Sequence, residues 1–168
     1  MYNSLQIANY FLKRGQDTGT EITPMKLIKL VYIAHGWNLG FTGESLLTEQ
    51  VYAWKYGPVI DTLYNTFKEY GSSPIIELYN PNVFDEKPPM PDKAAEPLLD
   101  AIWKAYGQFD GVQLSAMTHQ EGTPWYITWH ERGGKDGRHI PIANDLIEKH
   151  YKEKIDDIKK RTKQVIPA

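Results

Sequence analysis

Apolar positions along the chain recur at helical spacing through most of its length. In residues 3–14, NSLQIANYFLKR, offsets of three and four place Leu5, Ile7, Ala8, Phe11 and Leu12 on one face. Asn3 or Ser4 is suited to cap this helix and Gly15 to end it. Thr23-Pro24 pairs a capping side chain with a first-turn proline, and the segment that follows is apolar over most of its circumference. Leu27, Leu30, Val31 and Ala34 form its stripe, with Ile28, Tyr32 and Ile33 beside them. Such a helix belongs at the centre of a fold, and it is expected to end near Leu39-Gly40.

The period then changes. In EQVYAWKYG, Val51, Ala53 and Lys55 alternate with Tyr52, Trp54 and Tyr56, which predicts a short strand. Gly57-Pro58 stops it, and a helix is expected over 58–70 with Leu63, Tyr64 and Phe67 inward. Residues 72–92 hold five prolines (Pro74, Pro81, Pro88, Pro89 and Pro91) and read as a long, poorly ordered loop with one short strand at 75–78. Helices follow over 94–106 and 111–120. A second cap-plus-proline pair at Thr123-Pro124 starts a helical turn through Trp129. GGKDGRH reads as a flexible tip, and a last pattern runs from Ile140-Pro141 to Ile155. The sum is a mainly α, compact helical domain over residues 1–152 with a small two- or three-stranded antiparallel β-sheet. A basic helical tail over 153–168 completes it.

Composition narrows the function more than the fold. A chain of 168 residues can bury about 70% of its unfolded surface, enough for a core without staples. With a net charge of −2, nothing steers the whole molecule toward nucleic acid or an anionic membrane. The absence of cysteine removes disulfides, thiolate chemistry and most structural zinc sites, and it fits a cytoplasmic setting. No leader peptide or membrane span is read in the sequence. Aromatic residues reach 12%, with 5 Trp and 11 Tyr, the residue types that dominate protein contact surfaces.

Catalytic chemistry is thinly supplied. The five histidines form no close metal pair, and neither a phosphate loop nor a nucleophile elbow is present. No cofactor is expected. His35 reads as a half-buried hydrogen-bonding residue. His119 with Glu121, and Lys55 as a third member, is the one combination that would support a small acid/base enzyme. The tail from Lys154 to Lys163 would support a nucleic-acid-binding regulator, but Asp156 and Asp157 lie within it, and a solvated helix end fits better.

Two aromatic-rich junctions remain, AWKYGP and LSAMTHQEGTPW. In both, bulky and polar side chains gather at a break between elements, where backbone groups need partners. One reading makes them architectural pins between helices and sheet. The other makes them the border of a groove for a partner.

The same junctions carry a family resemblance. Leu27, Lys29, Leu30 and Tyr32, then Gly43 and Leu46, then Ala53, Trp54, Gly57, Pro58 and Val59 resemble the core of the Panacea domain. That domain is also described as the SocA-like antitoxin domain and in phage-associated GepA-like proteins. Leu114, Ser115, Thr118, His119, Pro124 and Trp125 resemble its second signature. The resemblance covers residues 4 to 152 and implies a mostly helical fold with a small sheet. It implies an antitoxin that neutralises a cognate protein toxin by direct contact, with no enzymatic activity. One family member also delivers its toxin to a protease as an adaptor, so a protease or chaperone is a further implied partner. Many members join the domain to a DNA-binding or variable segment, and none is read here. The positions expected to carry the signature or to face a partner are Lys29, Tyr32, Trp54, Lys55, Tyr56, Gly57, Pro58, Thr118, His119 and Trp125. For a basic toxin, the acidic stretch 72–100 would be an electrostatic guide.

Overall fold

A computed structural model describes residues 1–85, 87–137 and 139–165. Its elements, in chain order, are α1 (Ser4–Thr18), α2 (Pro24–Thr42), β1 (Tyr52–Trp54), β2 (Gly57–Val59), α3 (Asp61–Phe67), α4 (Glu96–Tyr106), α5 (Gly111–His119), α6 (Pro124–Glu131) and α7 (Asn144–Val165). The mainly helical class with a small antiparallel sheet is therefore correct.

Helix α2 is the axis of the molecule. Thr23 Oγ1 accepts from Lys26 N, Pro24 fills the first turn, and Gly43 closes the C-terminus at φ 72°. Helices α1, α3, α4, α5 and α7, together with β2, all pack against it. Leu27, Leu30, Val31 and Ala34 have no exposed surface, as the stripe requires. The longest contact is with α7. It is made possible by Gly36 and Gly40, which lie against Tyr151; a Cβ on Gly36 would stand 2.1 Å from the Tyr151 ring. Buried His35 reinforces this seam, its Nε2 3.0 Å from Asn144 Oδ1 at the start of α7.

Several expectations require correction. Helix α1 runs past Gly15, which is buried inside it, and ends at Gly19 with φ 68°. Helix α2 continues beyond Leu39-Gly40 to Thr42, because Gly40 serves packing rather than termination. His35 is fully buried. The residues from Ile140 to Ala143 do not begin the last helix. Ile142 N donates to Val51 O, Ala53 N donates to Ile140 O, and Tyr52 bridges Pro141, so they flank β1. GGKDGRH contains a short 3₁₀ turn, Gly134–Asp136, and its Arg138 lies outside the described residues, as do the last three residues of the expected tail.

The largest correction concerns Pro58, which lies in β2 and not at the head of a helix. Register explains how a proline fits there. Tyr52 pairs with Val59, Ala53 with Pro58 and Trp54 with Gly57. Ala53 sends its N–H to Ile140, away from β2, so the Ala53–Pro58 pair is one whose backbone groups point outward. The N–H that Pro58 lacks is one the hairpin does not need.

The loop 72–92 contains no strand at 75–78 among the described residues, but it is fastened to α1. Asn9, fully buried, donates from Nδ2 to Tyr79 O (2.7 Å) and Pro89 O (2.9 Å) and accepts from Tyr79 N (2.8 Å). Ile75 N donates to Ile22 O at 2.8 Å. One amide side chain thus replaces the ladder a strand would have supplied.

Candidate functional site

The two junctions singled out in the sequence meet in space, with the β1–β2 hairpin between them. Its connection is two residues long, Lys55-Tyr56. Two-residue hairpins usually need positive φ at the central positions. Here the positive φ falls one residue later, at Gly57 with φ 114°, where no side chain is strained. A Cβ there would also lie 3.0 Å from Lys29 Nζ and 3.1 Å from His119 Cε1. Glycine is thus required for conformation and for space.

Four side chains then engage the hairpin's carbonyl oxygens almost consecutively. Trp125 Nε1 donates to Trp54 O at 2.7 Å. His119 Nε2 lies 3.3 Å from Lys55 O, and Ser115 Oγ donates to Tyr56 O at 2.9 Å. Lys29 Nζ donates to Pro58 O at 3.0 Å. The register and the capping chemistry explain this set. Asp110 and Gln113 form a capping box that starts α5, which puts Ser115 and His119 one turn apart. Thr123 caps α6, and its hydroxyl donates back to Thr118 O at 3.0 Å, fixing the angle at which Trp125 reaches the hairpin.

Lys29 is the most unusual member. It is 2% exposed, and among the described residues no carboxylate lies within ion-pair distance. Burial alone pulls its ammonium down to about 7. Lys26, one turn earlier, is also buried and donates to Gly107 O at 2.5 Å, at the C-terminal end of α4. Helix α2 therefore uses two lysines as internal cross-braces to backbone carbonyls. The sequence shows them as lysines inside an otherwise apolar helix, but periodicity alone does not show where their amines go.

The ten expected positions separate by exposure. Lys29, Tyr32, Gly57, Pro58, Thr118 and Trp125 are buried, and Trp54 and His119 are half-buried. Only Lys55 and Tyr56 stand in solvent, Tyr56 at 63% exposure with Lys55 Nζ 5.5 Å from its ring centroid. Trp54 to Pro58 form the hairpin and Lys29, His119 and Trp125 reach it, whereas Tyr32 and Thr118 line a cleft beside α7. His119 is half-buried, and both its ring nitrogens lie against backbone carbonyl oxygens. Its Nδ1 is 2.6 Å from Ser115 O and its Nε2 faces Lys55 O, while Glu121 is exposed. Among the described residues no three His, Cys, Asp or Glu side chains gather as a metal site. No described helix is long and apolar enough to cross a membrane.

A second aromatic group, missed in the sequence, flanks the hairpin. Trp54 meets exposed Tyr64 edge-on at 4.8 Å, and Tyr52 stacks on His139 at 3.6 Å. His139 Nε2 in turn lies 2.8 Å from Asp61 Oδ2. The alternation in VYAWKY was the available signal, since it puts Tyr52 and Trp54 on the same face.

Fold and site together define a small helical domain that uses its distinctive polar residues to hold a hairpin rather than to expose a reactive group. The chain belongs to the antitoxin SocA-like, Panacea domain family, whose sequence profile matches residues 27–126, more than half its length. It is also 26% identical over 152 residues to antitoxin SocA of Caulobacter vibrioides, covering 87% of this chain and 80% of that protein. No solved structure matches.

Proposed function

We propose that this protein is a non-enzymatic antitoxin that neutralises a cognate protein toxin in the cytoplasm by direct binding. Membership of the SocA-like antitoxin family supports this reading most strongly. The exposure of the hairpin tip supports a contact location there. The clamp consumes Lys29, Ser115, His119 and Trp125 internally, which leaves Lys55 and Tyr56 as the outward-facing part of the signature. An exposed tyrosine beside a lysine, on a backbone hydrogen-bonded to side chains of other elements, suits a contact residue. Tyrosine brings large area at low conformational cost, and rigidity lowers the entropy lost on binding. Exposed Tyr64, packed on Trp54, extends the aromatic surface.

Co-expression with the product of the adjacent gene tests the reading. Growth should be rescued and a stable complex recovered. Tyr56→Ala and Lys55→Glu should each weaken that complex by about thirtyfold, roughly 2 kcal/mol, while the melting temperature stays unchanged. If there is neither rescue nor complex, the reading fails. If both occur but the two variants bind as wild type, the location is wrong.

A further inference from the structure

A cleft of about 230 Å³ opens between α2, the α5–α6 junction and α7, away from the hairpin clamp. Three tyrosines reach it, Tyr32, Tyr106 and Tyr151. Tyr32 is 2% exposed and Tyr151 4%, and among the described residues neither hydroxyl bonds another side chain or backbone group; neither is sealed off, and both open onto the cleft. The Tyr106 hydroxyl accepts from Trp37 Nε1 at 3.0 Å, and its own proton has no acceptor among the described residues. Three phenolic protons with no acceptor among the described residues thus face one space, each free to donate to a group that enters it.

The rest of the lining gives the missing partner its character. Lys154 Nζ lies 5.5 Å from the Tyr151 ring centroid, on a side chain that is otherwise exposed to solvent. His150 is held neutral, its ring pushed down to about 4 by burial and by Lys154. The lining contains no carboxylate. Thr118 and Thr123 cannot donate into the space, because their hydroxyls donate to Ser115 O and Thr118 O. Gln120, exposed at the mouth, offers both a donor and an acceptor. Ile33 and Pro124 supply apolar wall. The cleft therefore has three phenolic donors and one ammonium, and no fixed negative charge opposes them.

We propose that this cleft is a binding site for a monoanionic carboxylate. The two oxygens of such a group accept from the tyrosine hydroxyls, and its single charge matches the single lysine. A phosphate dianion would need more positive charge than one ammonium supplies. The volume suits a small acid or the end of a polypeptide, and both present the same chemistry.

The test uses the full chain in a titration followed by amide chemical shifts, with benzoate as the probe, benzamide as its uncharged counterpart and inorganic phosphate as the competing anion. Benzoate should move resonances of the cleft residues saturably, and benzamide should not. Tyr32→Phe, Tyr151→Phe and Lys154→Met should each weaken benzoate binding about tenfold or more. The two phenylalanine variants should stay within about 0.5 kcal/mol of the wild type's stability or above it, since each loses a hydroxyl that bonds no other described residue. A peptide ending in phenylalanine, with free or amidated terminus, distinguishes the sources. Tighter binding of the free-terminus peptide assigns a polypeptide end, and preference for benzoate assigns a small acid. The proposal is overturned by an unsaturable benzoate response, equal binding of benzamide, tighter binding of phosphate or undiminished binding in the phenylalanine variants. A larger loss of stability in those variants would also overturn it, because it would show that the hydroxyls serve the fold.

Discussion

Lys29 shows how a single residue can define a fold and yet make it sensitive to conditions. Its amine is needed at Pro58 O, but a charged amine in that place is disfavoured by burial. The folded value, about 7, lies below the ordinary value of 10.5, so between those limits the unfolded chain binds more protons than the folded one. Stability attributable to Lys29 is thus present above the unfolded value and is lost as pH falls toward 7. Raising the pH from 7 toward 9 should increase the unfolding free energy of the wild type, by at most about 1.4 kcal/mol per pH unit from this group. Lys29→Met should flatten that dependence even though it is less stable for want of the hydrogen bond. Denaturant unfolding at several pH values measures both. Asn9 makes the complementary point about legibility. The sequence reading of α1 assigned it no role, and the three backbone groups it serves explain why. Those groups lie about 70 to 80 residues away, beyond any local pattern.

At the scale of elements, what could be read was what local chemistry decides. The Thr23-Pro24 and Thr123-Pro124 starts and the helix around Leu98–Trp103 needed only caps and apolar spacing. What failed was decided by neighbours. Pro58 reads as a helix start because proline favours that place, and only its pairing with Ala53 shows that a strand accepts it. Gly15 and Gly40 read as helix ends because glycine often is one, yet both sit inside helices where another chain segment presses close. Gly36 gives the direct test. Gly36→Ala should improve intrinsic helix propensity and still destabilise the protein by about 1–3 kcal/mol, because the new methyl group enters the Tyr151 ring space and forces α2 and α7 apart. Thermal unfolding would show a lower midpoint. A higher one would mean that the seam is loose.

For the molecule as a whole, class was readable from local pattern and surface was not. The acidic stretch 72–100 is less free than its composition suggests, because the Tyr2 hydroxyl bonds Asp92, and Tyr10 and Arg14 engage Asp100. The basic end of α7 is the converse case. From Asp156 through Lys163 every side chain is exposed, so this stretch offers the fold little burial to lose. Truncation after Asp157 should leave the unfolding midpoint unchanged within the range ordinary surface changes produce, about 0.5 kcal/mol. A larger loss would give this segment a structural role.

The clamp at the hairpin has a consequence for how such a molecule changes over generations. Because the backbone from Trp54 to Pro58 is secured by groups on other elements, the identities of residues 55 and 56 contribute nothing to keeping it in shape. Those two positions are open to almost any substitution, as letters are replaced in a fixed type-holder. With these two residues as the proposed contact, a lineage could exchange one target for another there without rebuilding the body that presents it.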